Sequence, residues 1–108
     1  MAIPLPEPIA VYFASKNADD PQALNACFAV DATVRDEGRA IEGLAAIKAW
    51  RVETGRKYQC TVEPLRTVDR DGRVIVTGKV SGNFPGSPIE LDHVFDLDGG
   101  RIVSLEIR

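Results

Sequence analysis

The second half of the chain confines the fold more than any other feature. Residues 57–69, 73–84, 89–98 and 101–108 read as four strands, joined by the turn pairs Asp71-Gly72, Pro85-Gly86 and Gly99-Gly100. Within them Tyr58, Cys60 and Val62, then Val74, Val76 and Val80, then Val103, Leu105 and Ile107 alternate with polar positions, so one sheet face is buried. Strands linked by tight turns pair with their neighbours, which predicts an antiparallel meander. Pro64 marks a bulge or bend in the first of them.

The first half carries three- and four-residue spacing instead. Pro6 and Pro8 suit a helix start, after which Leu5, Ile9, Tyr12, Phe13 and Lys16 fall near one face. Residues 17–20 form a turn, and Asp20-Pro21 reads as the cap and first position of a short second helix burying Leu24, Cys27 and Phe28. A strand ends at Glu37-Gly38; Gly43 precedes a third helix in which Leu44, Ile47 and Trp50 share a face, and Gly55 stops it. The expected class is α+β, a curved antiparallel sheet wrapped around two to three N-terminal helices. Such a cone-shaped α+β barrel encloses an internal cavity. At 108 residues, with 44% hydrophobic and 27% charged residues, it forms one domain over residues 1–108.

A net charge of -3 and a pI of about 5.1 supply no positive field for nucleic acid or an anionic membrane. The N-terminus has no basic start, and no apolar run reaches the roughly 18 residues of a membrane span, so a cytoplasmic protein is expected. Cys27, Cys60 and a single His cannot make a Cys/His zinc quartet, so no metal is expected and both thiols read as reduced, buried hydrophobes. No Gly-x-Ser-x-Gly elbow occurs, and Gly72 to Gly78-Lys79 has one residue too many for a phosphate loop.

Chemistry concentrates at Asp36. Strand alternation places it with Val34 on the apolar face, opposite Thr33 and Arg35. A carboxylate withdrawn from water must be paired, hydrogen-bonded or raised in pKa, and a raised one in a pocket is a candidate general base. The plainer alternative is an ion pair with Arg39 or Arg51. Farther on, Leu91, His93, Phe95 and Leu97 form an apolar phase and Glu90, Asp92, Asp96 and Asp98 a polar one, turning His93 inward and Asp92 to solvent.

Tyr12, the Asn17-Ala18 turn and the run from Phe28 to Asp36, followed by Leu91-Asp92-His93 and Gly-Arg-Ile-Val-Ser at 100–104, resemble the ketosteroid isomerase and SnoaL-like polyketide cyclase branches of the nuclear transport factor two-like superfamily. In ketosteroid isomerase a strand-end Asp is the base, and a first-helix Tyr and a protonated late-strand Asp form the oxyanion hole. Tyr12 and Asp36 match the first two. Letter by letter Asp92 falls on the third, while an inward His at that strand position is common in SnoaL-like proteins.

The resemblance implies a cofactor-independent enzyme that abstracts a proton α to a carbonyl of a hydrophobic substrate, as an isomerase or polyketide cyclase. Asp36 is then the base, Tyr12 and His93 donate to the enolate oxygen, and we assign Trp50, Phe28 and Asp92 to substrate contact. The alternative is a non-catalytic module binding a small hydrophobic ligand in the same cavity. A homodimer through an outer sheet face carrying Ile75, Val94 and Ile102 is also expected.

Overall fold

The computed structural model describes residues 3–108. Helix α1 (Glu7–Asn17) leads through one 3-10 turn (Pro21–Ala23) and the single-turn α2 (Leu24–Cys27) into β1 (Phe28–Asp36) and β2 (Arg39–Glu42). Helix α3 (Leu44–Tyr58) precedes β3 (Thr61–Arg70), β4 (Arg73–Ser81), β5 (Ile89–Asp98) and β6 (Arg101–Ile107).

The last four strands make the expected antiparallel meander, and the sheet then continues past it. β1 lies parallel to β6 and β2 folds back on β1, giving the order β2-β1-β6-β5-β4-β3. The curved sheet is therefore mixed and open, with β2 and β3 at its edges. The parallel pair arises because β1 meets β6 only after the chain has crossed through α3 and run the whole meander.

Several local readings change for identifiable reasons. Strand β2 was not expected: it is four residues long and buries only Ile41, too little to alternate visibly. Glu37-Gly38 is its hairpin turn, both residues left-handed at φ 53° and 74°, as in a two-residue I′ turn. Gly55 does not stop α3. An internal glycine costs about 1 kcal/mol, less than the buried Ile47 and Trp50 side chains return, and the helix runs to a left-handed Gln59 at φ 50°. Residues 57 and 58, read as strand, are thus helical, and Phe28 opens β1 where it was expected to close α2.

Ile102 also moves. Asp96 pairs with Ser104 but Leu97 pairs with Ile102, so Val103 is bulged and the alternation flips. Ile102 becomes fully buried beside Leu105, and the outward patch shrinks to Ile75 and a Val94 that is itself buried. The expected break near Pro64 does occur, where Pro64 faces Gly78 and Arg66 faces Thr77.

The core lies between the helices and the inner sheet face. Ile9, Tyr12 and Phe13 of α1 meet Leu24, Ile47, Phe28, Val76 and Phe95. Asn17 fixes the end of α1 to the sheet edge: its side-chain amide donates to the Val62 carbonyl (2.9 Å) and its carbonyl accepts the Val62 N–H (2.8 Å). No helix among the described residues is long and apolar enough to cross a membrane.

Candidate active site

A pocket of about 510 Å³ opens between α1, α3, the end of β1 and the inner faces of β4, β5 and β6. Its polar lining includes Tyr12, Lys16, Asp36, Cys60 and His93, and its apolar lining includes Trp50, Val80, Leu91 and Ile107. Glu37, Tyr58 and Phe84 also border it. The Tyr58 hydroxyl donates to Glu37 Oε1 at 3.0 Å and its ring meets Phe84 edge-on at 6.1 Å, tying the end of α3 to the β1–β2 turn.

Asp36 ends β1 half-buried, on the inward phase set by Ala32 and Val34. Trp50 Nε1 donates to Asp36 Oδ2 at 3.2 Å, which orients the carboxylate and gives the indole N–H its acceptor. Burial pushes the Asp36 pKa above the ordinary aspartate value; Trp50 opposes that by favouring the anion, and nearby Glu37 reinforces it. The ion-pair alternative is not realised: Arg39 pairs with Glu53 at 3.1 Å, and Arg51 turns toward α1.

Tyr12 is fully buried, edge-on to Phe13 (5.2 Å), Phe28 (5.9 Å) and Phe95 (5.7 Å). These rings fix its position while its hydroxyl has no hydrogen-bond partner within the protein. Beneath it lies Arg51, 2% exposed, with its guanidinium carbon 5.0 Å from the phenol ring centre. Arg51 Nη1 donates to Ser15 Oγ (2.9 Å), and that hydroxyl donates to the Tyr12 carbonyl (2.7 Å). Nε and Nη2 are unpartnered, so a whole cation is buried without a carboxylate. Desolvation raises the Tyr12 pKa and Arg51 opposes it.

His93 lines the pocket from β5, stacked edge-on against Phe13 at 5.2 Å. Its Nδ1 lies 3.3 Å from the Val76 carbonyl, which accepts a hydrogen bond from the Nδ1–H tautomer, and the Leu91 carbonyl is a second acceptor at the ring. The close packing depends on Gly78, where a Cβ would stand 2.7 Å from Val62 Cγ2 and 3.3 Å from His93 Cε1. Burial pushes the His93 pKa down to about 4, against the hydrogen bond to Val76. An unfolded His titrates near 6.5, so between there and about 4 the unfolded chain takes a proton that the folded chain refuses. This contribution to stability is complete above about pH 6.5 and is lost as pH falls toward 4, by up to about 1.4 kcal/mol per pH unit. As the chain has one His, its ring-proton NMR signal is unambiguous and should titrate near 4; a midpoint near 6.5 would place the ring in water.

The expected residues thus divide. Tyr12, Asp36, His93 and Trp50 border one pocket. Phe28 does not border it and instead packs against Tyr12. Asp92 is exposed on the other sheet face, accepting from Thr77 Oγ1 at 2.7 Å. Asp92 is exposed and His93 buried, as the alternation placed them, although Val94, between His93 and Phe95, is buried as well. Sequence reasoning gave no part to Lys16 and offered Arg51 only as an ion-pair partner of Asp36. Lys16 was visible as a cation on an apolar helix face one turn beyond Tyr12, while Arg51, following Trp50, carried no comparable signal.

Residues 9–105 match the SnoaL-like domain family. No curated protein matches the chain at a significant level. Among solved structures, a proposed polyketide cyclase from Sinorhizobium meliloti is 39% identical, with a TM-score of 0.92 over 96% of this chain and 95% of that one. A protein of ketosteroid isomerase-like fold from Catenulispora acidiphila, in complex with trimethylamine, is 21% identical, with a TM-score of 0.83 over 97% and 86% of the two chains. A nuclear transport factor two-like protein from Cytophaga hutchinsonii, at 15% identity and a TM-score of 0.79 over 100% and 91%, shares the fold. With nearly the whole chain matched and a relative at this level of identity, the protein belongs to the SnoaL-like family and has its nuclear transport factor two-like α+β fold.

Proposed function

We propose that this protein is a small cofactor-independent enzyme that removes a proton α to a carbonyl of a hydrophobic substrate, in the manner of an isomerase or polyketide cyclase. The observation that carries this reading is the presence, in the lining of one pocket, of a carboxylate raised in pKa by burial and a buried tyrosine whose hydroxyl has no well-formed hydrogen bond. A general base works best when its pKa approaches the working pH, and the shift at Asp36 is in that direction. Trp50 occupies Oδ2 and leaves Oδ1 for the proton. The relative from Sinorhizobium meliloti supports the cyclase form of the reading.

Negative charge then develops on the carbonyl oxygen, and Tyr12 supplies the hydrogen bond. One preorganised donor in a site shielded from water is worth roughly 2.7 to 4 kcal/mol of barrier. Arg51, always charged and close beneath the ring, favours electron density on that side of the pocket. With His93 Nδ1 taken up by the Val76 carbonyl, Tyr12 is the donor on which this reading relies.

Tyr12→Phe isolates that donor. The variant loses a buried hydroxyl with no well-formed hydrogen bond, only the pull of nearby Arg51, so its stability should change by no more than about 1 kcal/mol, while turnover falls roughly 100- to 1000-fold. Denaturant titration and steady-state rates check the two halves. The reading itself is tested by following a β,γ-unsaturated ketone to its conjugated isomer by absorbance. Binding without conversion at any pH would leave the protein as a ligand-binding module.

A further inference from the structure

We propose that Lys16 is a second reactive group of this pocket, an amine placed to condense with the aldehyde or ketone carbonyl of an apolar ligand and hold it as an imine. The inference rests on the reading of the pocket as a site for apolar carbonyl compounds and names a covalent form of it.

Placement comes first. Lys16 follows Tyr12 by one turn of α1 and borders the same pocket. The adjacent Asn17 clamps this end of the helix to β3 through both of its amide atoms, so the lysine springs from a fixed base. The ion pairs among the described residues are Arg39–Glu53, Arg66–Glu90, Arg73–Asp96 and Arg108–Glu106, and Lys16 and Asp36 belong to none. Its amine is therefore neither tied up nor neutralised by contact. The remaining lysines differ: Lys48 donates to Asn25 at 3.3 Å outside the pocket, Lys57 lies in solvent over the Tyr58 ring, and Lys79 is exposed on β4.

The surroundings favour the free amine, which is the reactive form. Burial lowers the Lys16 pKa most, and Arg51 from α3 lowers it further; Cys60, just before β3, and Asp36 from β1 oppose this. His93, facing from β5, stays neutral near pH 7 and adds no charge. Cys60, the other nucleophile in the lining, is raised in pKa by burial and remains a thiol.

The chemistry balances without an added reagent. Nζ attacks the carbonyl carbon and a proton passes from nitrogen to oxygen, giving a carbinolamine. Its C–O bond breaks as the hydroxyl takes a proton and leaves as water, and the nitrogen lone pair forms the C=N bond. Asp36 in its protonated form can supply that proton. Once the iminium withdraws electron density, the same carboxylate can accept the α-proton to give an enamine, and water reverses the sequence. An imine thus deepens the electron sink for the proton abstraction assigned to Asp36.

Trapping tests this directly. The full chain is incubated with 2-naphthaldehyde, an apolar probe, and sodium cyanoborohydride, and the adduct is located by peptide mass spectrometry. The expected result is one reduced adduct concentrated at Lys16, roughly tenfold or more over Lys48, Lys57 or Lys79, and increasing with pH. Lys16→Arg should abolish it while the probe still quenches Trp50 fluorescence. Lys16→Gln serves if the arginine disturbs folding, and the wild-type adduct map needs no variant. Adduct spread evenly over the lysines, or unchanged in either variant, overturns the proposal. Quenching without an adduct at Lys16 sinks the imine and spares the pocket. An adduct at Lys16 with no Asp36-dependent exchange of substrate α-hydrogen in heavy water keeps the amine and sinks the base. With neither quenching nor adduct, both readings fall.

Discussion

Asp36→Asn should reduce turnover of a β,γ-unsaturated ketone by roughly 100- to 10000-fold and leave affinity for a product-like ketone within about twofold. The substitution removes the proton acceptor but keeps an oxygen that can accept from Trp50 Nε1, so the pocket wall keeps its shape. Because Trp50 is the only tryptophan and borders the pocket, its fluorescence reports ligand binding in both forms. The wild-type rate should increase with pH as Asp36 loses its proton, and this rise should lie above the ordinary aspartate range because burial raises the pKa. Equal rates in the two proteins would remove Asp36 from the chemistry.

Arg51→Met should make the protein more stable and less active. A buried cation without a carboxylate loses several kcal/mol of solvation, and a single hydrogen bond to Ser15 with a ring contact to Tyr12 returns only part of that. Methionine fills similar length without charge, and Ser15 keeps its bond to the Tyr12 carbonyl. We expect a gain of about 1 to 3 kcal/mol, or several degrees in Tm for a domain of this size. Turnover should fall about tenfold or more, because Tyr12 loses the neighbour that favours its anionic side and becomes a weaker donor. Thermal denaturation and kcat/KM measure the two effects. A large loss of stability would instead make Arg51 a structural brace, and unchanged turnover would separate it from Tyr12.

Much of this arrangement was legible in the residues because it follows from short-range periodicity. Alternation turned His93 inward and Asp92 outward, helical spacing put Tyr12 in the core, and paired turn residues announced the meander. What escaped depends on events alternation does not encode. A one-residue bulge at Val103 reversed the face of Ile102, and a helix held by tertiary packing ran through Gly55 and delivered Tyr58 to the pocket rim. Which acceptor Trp50 would find, and that Arg51 would be buried without a partner, depended on α3 packing across the end of β1 and against α1. Neither is a local property. The resemblance to ketosteroid isomerase aligned Asp92 with a catalytic acid, and strand geometry overrode that letter-by-letter match.

The parallel seating of β1 against β6 sets a clock on the birth of the pocket. Asp36 and Ile107 border the same hollow, yet seventy residues lie between them in the chain. The pairing that brings their strands together therefore joins segments far apart in sequence, a long-range closure of the kind that slows folding. Until β1 and β6 meet, each presents an unpaired strand edge to any other chain that reaches it, so aggregation during refolding should track the lifetime of that state.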